Sequence, residues 1–280
     1  MVYRIDKEIL LERYRQLCVP VPAVTNMSVD EVAWRKRHSY VTNVIDADSR
    51  KVIWNHPGRD QSVLERFYKA LGPEACDSIE SVAMDGALPY IAATRRHAQY
   101  AILVYDKFHI AKKLNDAVDA VRRQERRKAS GDAELSRLLE TKNRFILLKN
   151  PGRHTERQKH MLDRLCELNE PIYQAMLLKE YFLQLYTYTD PKEAQDHLFE
   201  WGINAAVSGL EPFHDLMKSF FRKRRMIINW FTRKISSAVS EGINNKIKRL
   251  KRMAYGYRDV EYFLLKVHQH CGLLSPRTPQ

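Results

Sequence analysis

VAMDGALPYIAATRRHAQYAILVYDKFH, residues Val82 to His109, is the stretch that decides the fold. Val82–Met84 is a short apolar run that stops at Asp85, and Ala101–Tyr105 is a second that stops at Asp106. Short apolar runs closed by turn residues predict strands. Pro89 stands where the first turn of a helix tolerates proline, which predicts a helix over Leu88–His97. Strand, helix, strand is therefore the local order, with a carboxylate closing each strand. In open α/β sheets such strand ends gather ligands and metals. Asp also caps turns after strands, and spacing alone leaves both roles open for Asp85 and Asp106. His109 follows Asp106 by three residues, at the start of the next helix.

The totals narrow the classes. A chain of 280 residues is long enough for one large domain or two ordinary ones, and 44% hydrophobic content excludes a disordered chain. The net charge of +13 points to an acidic partner, nucleic acid before a membrane surface. No 18-residue apolar run and no signal peptide is present, which predicts a soluble intracellular protein. Cys18, Cys76, Cys166 and Cys271 are scattered without a CxxC pair, so neither a zinc ribbon nor a disulfide framework is expected.

Upstream of the deciding stretch, Ile5, Ile9, Leu10, Tyr14 and Leu17 recur at helical spacing, and Val19-Pro20-Val21-Pro22 ends that helix. Residues 1–22 are expected to be the last helix and linker of a longer N-terminal region. Met27–Val29 predicts a short strand ending at Asp30. Tyr40–Ile45 and Lys51–Trp54 predict a hairpin turned by Asp46–Ser49. Asp60 is placed to cap a helix carrying Leu64, Phe67 and Leu71 on one face. The order is three strands, then helix, strand, helix, strand. Acidic residues stand at the ends of the first, fourth and fifth. A hairpin meander followed by parallel strands on helical crossovers is the order of a ribonuclease-H-like α/β core, a mixed sheet with flanking helices.

After His109 the pattern turns helical. Ile110, Leu114, Ala117, Val118 and Val121 form one stripe, and Ala129–Asp132 reads as a linker. Start signals at Thr155, Glu170-Pro171 and Asp190-Pro191 predict an all-helical block of five or six helices over 110–225. Its His154, His160 and His197 lack metal-ligand spacing and are expected to be surface or structural. No internal repeat or low-complexity segment occurs. The domain plan is a core over 23–128 and 226–280, interrupted by a helical insertion over 129–225. From Arg222 to Arg252 eleven Lys or Arg accompany one acid, Glu241. Either that glutamate pairs with Lys248 or its neighbours along the helix, or it has an electrostatic task. Trp230, Phe231, Tyr255 and Tyr257 interleave the bases, a pattern suited to nucleic acid.

SVDEVAWRKRHSYVTNVID, VAMDGALPYIAA, VYDKFHIAKKLNDAVDAVRR and SEGINNKIKRLKRMAYGYRD, in that order, resemble the DDE transposases of bacterial insertion sequences. The group is the ISL-three family, related to the Mutator-like transposases, and the resemblance runs from about Met27 to about His268. It implies a ribonuclease-H-like core interrupted by a helical insertion before the catalytic glutamate. Residue by residue, Asp30 matches the first carboxylate of the triad, Asp85 the second and Glu241 the third. Asp106 and His109 match an accessory D-x-x-H signature, and Asp106 is the alternative second triad member. Full-length members carry an N-terminal zinc-binding segment and a helix-turn-helix, which are not found here, so an N-terminally truncated chain is expected.

The resemblance further implies Mg²⁺ or Mn²⁺, two ions held by Asp30, Asp85 and Glu241, since hard ions take oxygen ligands and two of them can serve both attacking and leaving oxygens. Water would cut at the element's end and the freed 3′-hydroxyl would join target DNA. The implied partners are double-stranded DNA, both element ends and target, and further copies of the chain assembled on it, without a membrane. Lys246, Lys248, Arg249, Lys251 and Arg252 are the expected DNA-binding residues. The implied location is the bacterial cytoplasm, with the nucleoid. His109 either orients a carboxylate, contacts scissile DNA or fixes the local fold. The competing outcomes are an inactive remnant that binds DNA or full-length subunits, and a metal-dependent nuclease.

Overall fold

The computed structural model describes residues 2–35, 39–149, 151–233, 235 and 237–275. Residues 36–38 of the first quoted motif and Lys234 of the basic run lie outside this set. In chain order the elements are α1 (Val2–Cys18), β1 (Asn26–Arg35), β2 (Ser39–Asp46), β3 (Lys51–Pro57), α2 (Gln61–Leu71), α3 (Pro73–Asp77), β4 (Ser81–Met84), α4 (Leu88–His97), β5 (Ile102–Tyr105), α5 (Lys107–Lys128), α6 (Ala133–Leu138), α7 (Arg144–Leu148), α8 (Glu156–Leu168), α9 (Glu170–Gln184), α10 (Pro191–Val207), α11 (Glu211–Arg222), α12 (Arg224–Thr232), α13 (Ser237–Met253) and α14 (Val260–Cys271). They form two compact units, one of residues 1–108 with 233–280 and the other of residues 109–232.

The first unit is built on one mixed sheet in the order β3-β2-β1-β4-β5. The first three strands pair antiparallel; β4 and β5 run parallel to β1. The hairpin between β2 and β3 turns where Asp46 accepts the backbone N–H groups of Asp48 and Ser49, the Asx-turn chemistry that makes Asp a turn residue. Arg50 completes it at a φ of 57°, in the left-handed region. Asp60 caps α2 by accepting from Val63, as its position in the sequence implied. Helix α4 spans the residues that the Pro89 signal indicated.

Alternation along the strands makes two apolar faces. On one, Val32, Val41, Ile45 and Val52 pack against Ile243 and Ile247 of α13 and Phe263, Val267 and Cys271 of α14. On the other, Trp54 meets Phe67 of α2, and Thr42 hydrogen-bonds Tyr90 of α4 at 2.8 Å. Helix α1 docks Leu10 and Cys18 against Leu265 and Leu274, and Lys7 pairs with Asp259 and Glu261.

One strand differs from its expected length. β1 does not end at Asp30; it continues to Arg35, because β2 stays paired with it out to Ser39. Asp30 therefore lies inside a ladder on one side and at the level where β4 stops on the other. In the second unit, the described residues contain eight α-helices from α5 to α12 rather than five or six. The extra ones are the short α6 and α7, and the expected linker holds the Asp132 cap of α6. Its core sets Phe182 against Trp201 and Phe220. His197 is structural: Nε2–H donates to the Tyr181 carbonyl at 2.6 Å and Nδ1 accepts from Tyr188.

Candidate active site

The register of the parallel strands sets three aspartates level. β1 pairs with β4 at Ser28↔Ala83, and β4 with β5 at Ala83↔Val104. Two residues further along come Asp30, Asp85 and Asp106. The Asp106 N–H donates to the Met84 carbonyl at 2.9 Å, which carries the ladder to that level. On the antiparallel side Asn43 stands opposite Asp30, and Asn55 opposite Asn43. A polar row thus crosses an otherwise apolar sheet. Asp30 shares its face with Ser28 and Val32, the face that α13 covers.

Asp85 and Asp106 are also the residues at which the chain leaves the sheet. An oxygen of Asp85 accepts from Ala87 N–H at 2.9 Å, and one of Asp106 from Phe108 N–H at 2.8 Å. The turn role is thus present at both positions: in each, Oδ1 accepts the backbone N–H two residues on. Asp30 is only 7% exposed and Asp106 6%, whereas Asp85 is half-buried.

Helix α13 meets this row through a single stripe. Ser240 hydrogen-bonds Ser28 at 2.7 Å, Asn244 Nδ2 donates to Asp30 Oδ2, and Lys251 Nζ donates to the Ala33 carbonyl at 2.7 Å. Together with buried Ile243 and Ile247 these positions recur at helical spacing. Glu241 is exposed beside the stripe, one turn ahead of Asn244, and residues three apart on a helix are side-chain neighbours. It forms no ion pair with Lys248 or any other described residue. The structure thus brings Asp30, Asp85 and Asp106 to one level and puts Glu241 next to Asp30's hydrogen-bond partner. Among the described residues no three His, Cys, Asp or Glu side chains stand close enough together to hold a metal ion.

Five participants were not singled out by the sequence: Glu31, Tyr90, Tyr105, Asn43 and Asn244. Glu31 is held above the usual carboxylate range, first by burial and then by the charge of Asp85, with Asp30 adding and Arg59 opposing. Tyr90 donates to Glu31 at 3.5 Å. The hydroxyls of Tyr90 and Tyr105 are both pushed up, chiefly by burial and in part by these carboxylates. Asn43 is fully buried with neither side-chain atom hydrogen-bonded, and the Asn244 Oδ1 is likewise buried without a partner among the described residues. Glu31 could have been noticed as the neighbour of Asp30. Asn43 needed the hairpin register, and Asn244 a contact across 214 residues.

Of the expected DNA contacts, Lys246, Lys248, Arg249 and Arg252 are exposed or partly exposed and form no ion pair among the described residues. Lys251 is tied down by its bond to Ala33. His109 is half-buried on α5 and is the first residue of the helical unit. The donors here are hard carboxylate oxygens, the kind a divalent cation takes, and Glu31 beside them is raised first by burial and then by the charge of Asp85.

A core of five strands with a level row of carboxylates beneath a basic helix defines a candidate polynucleotide-handling enzyme. The chain matches the ISL3 family of DDE transposases over residues 27–267, and it belongs to that family. It is 32% identical over 245 residues to the transposase for insertion sequence element IS1001 of Bordetella parapertussis, covering 86% of this chain and 59% of the relative. It is 28% identical over 279 residues to the transposase for insertion sequence element IS1557 of Mycobacterium tuberculosis, covering 90% and 60%. The chain thus spans about 60% of the length of these curated relatives. No described helix is long and apolar enough to cross a membrane.

Proposed function

We propose that this chain carries the catalytic core of a DNA transposase, which cuts at the ends of an insertion sequence and joins the freed 3′-hydroxyl to target DNA. The observation that carries this reading is the register that sets Asp30 level with Asp85 on parallel neighbours. The strand order of the sheet, three antiparallel and then two parallel, supports reading the first unit as a ribonuclease-H-like core and the helical unit as its insertion. Asp30 and Asp85 would hold Mg²⁺ or Mn²⁺, with Glu241 as the third carboxylate and Asp106 as its neighbour or substitute. When bound, a pair of such ions lowers the pKa of an attacking hydroxyl and stabilises the leaving oxygen.

The chain's own residues have separate tasks. Asn244 fixes one oxygen of Asp30 and ties the glutamate helix to β1, so the carboxylates are held before DNA arrives. Lys246, Lys248, Arg249 and Arg252 hold backbone phosphates beside the reacting bond and offset their repulsion for the carboxylates. His109 follows the Asp106 turn in the first turn of α5. Double-stranded DNA, as element end and as target, is the proposed substrate, with further copies of the chain assembled on it.

A strand-transfer assay with element-end duplex, target plasmid and Mg²⁺ tests the reading. Joined products that vanish in Asp30→Asn, Asp85→Asn and Glu241→Gln are expected. Cut ends without joining would identify a nuclease, and binding alone a catalytically inert DNA-binding chain.

A further inference from the structure

A second basic feature lies wholly within the helical unit. Arg122, Arg123, Arg126 and Arg127 of α5, with Thr141 and Arg144 across from them, line a cavity of about 560 Å³. Asp119 is the one carboxylate in that lining, which leaves four positive charges uncompensated within it. On α5 these residues fall on one face, and Arg122/Arg126 and Arg123/Arg127 are like charges at i,i+4, a spacing at which they repel. Part of the basic character has a local explanation, because Arg126 and Arg127 lie in the last turn of α5, where positive charge offsets the helix dipole. That account does not extend to Arg123 or Arg144.

The floor of the cavity is held by the hydrogen bonds of a buried arginine. Arg122 is 2% exposed; it donates to Asp119 at 2.8 Å and to the Leu139 carbonyl at 2.6 Å. Its charge is thereby fixed, and Asp119 is shared with Arg123 at 3.3 Å. Arg126 reaches the Thr141 hydroxyl at 3.4 Å and adds to the field felt by Glu140, whose own ion pair is with Lys142. Arg144 lies over the Phe145 ring, 4.7 Å from its centroid. Arg126, Arg127 and Arg144 form no ion pair among the described residues.

We propose that this arginine cavity binds backbone phosphates of DNA. Guanidinium forks suit phosphate oxygens in geometry as well as charge. The lining offers no apolar or aromatic side chain on which a base or sugar could rest, so it recognises phosphates and not a nucleotide. This rests on the reading of the chain as a DNA-acting enzyme, and it adds a site on the insertion separate in sequence from the bases of α13.

The test is the salt dependence of binding to a labelled duplex of about 30 base pairs, measured by anisotropy with the full chain. The variants are Arg123→Gln/Arg127→Gln/Arg144→Gln and, separately, Lys246→Ala/Lys248→Ala/Arg249→Ala. Buried Arg122 is left in place, and thermal melting by circular dichroism confirms that each variant folds. Losing three phosphate contacts lowers the log–log salt slope by about 2.7, so the ratio of wild-type to variant affinity shrinks about 20-fold between about 50 and 150 mM salt. An unchanged slope in the arginine variant, with a lowered slope in the α13 variant, overturns this proposal and leaves the functional reading intact. A folded wild-type chain that does not bind duplex overturns both. If the arginine variant loses only polyglutamate binding, the cavity serves an acidic protein and the proposal is wrong.

Discussion

Replacing Asp30 by Asn separates the two roles of that residue. The perturbation is small in shape. Asn244 now offers its Nδ2 to Asp30 while its Oδ1 is buried without a described partner. Turning the Asn244 amide over lets that oxygen accept from the new side-chain amide at position 30, so a hydrogen bond survives. What is lost is charge assistance, worth about 1 kcal/mol. What is gained is relief of repulsion. Neighbouring strands are about 4.8 Å apart, and two carboxylates about 5.5 Å apart repel by about 3 kcal/mol at an effective dielectric of about 20. Asp85 is half-buried and still in reach of water, which reduces this to roughly 1–2 kcal/mol. In EDTA Asp30→Asn is therefore expected to match the parent or exceed it by up to about 1 kcal/mol. With Mg²⁺ at about 100 times its Kd the parent gains about 2.7 kcal/mol that the variant lacks, and the order reverses. Scanning calorimetry in EDTA and in Mg²⁺ reads this, the two units giving separate transitions if they unfold independently. A variant less stable than the parent in EDTA by more than about 1 kcal/mol, yet equally raised by Mg²⁺, would refute the reasoning.

Other expectations follow from single residues. Glu31→Gln should stabilise the fold at about pH 7 and make no difference below about pH 4. A carboxyl raised in the folded state costs stability as pH rises through its unfolded and then its folded pKa; urea titrations at the two pH values check it. His268 is fully buried, neither ring nitrogen is hydrogen-bonded among the described residues, and burial holds its pKa down to about 3. Its contribution is intact above about pH 6.5 and is lost at about 1.4 kcal/mol per unit as pH falls toward about 3, so His268→Leu should flatten the acid limb of stability between about pH 6 and 4, read by urea titration across that range. Lys251→Ala should cost about 1 kcal/mol of stability through its bond to Ala33, whereas Lys248→Ala should leave the melting temperature unchanged and lower the salt slope of DNA binding by about 0.9.

The parts of the fold that were legible in the sequence are those coded locally. Met84 to Asp85 and Tyr105 to Asp106 are sharp changes from apolar to turn residue, Pro89 marks a helix start, and Asp60 a cap. The extension of β1 to Arg35 was not legible, because Glu31 to Arg35 carries charge at both ends and owes its extended form to pairing with β2. The short helices α6 and α7 were missed since five or six residues give little periodicity. In the site, Asp85 and Asp106 were legible as strand-end carboxylates, whereas Asp30, expected at a strand end, lies inside β1. The level at which they meet depends on register, and Asn43 and Asn244 depend on it entirely. Neither asparagine has a local signal that separates it from a surface residue. Glu241 stood out by charge alone, and α13 presents it beside Asn244 rather than directly against Asp30.

The central claim is that Asp30, Asp85 and Glu241 share divalent cations. Crystals of the chain soaked in Mn²⁺ test it by anomalous diffraction. The account predicts a peak with carboxylate oxygens of Asp30 and Asp85 at about 2.0–2.3 Å, and Glu241 turned toward it. A peak ligated instead by Asp106 without Asp85 would move the second carboxylate, and saturating Mn²⁺ with no peak at Asp30 would contradict the account.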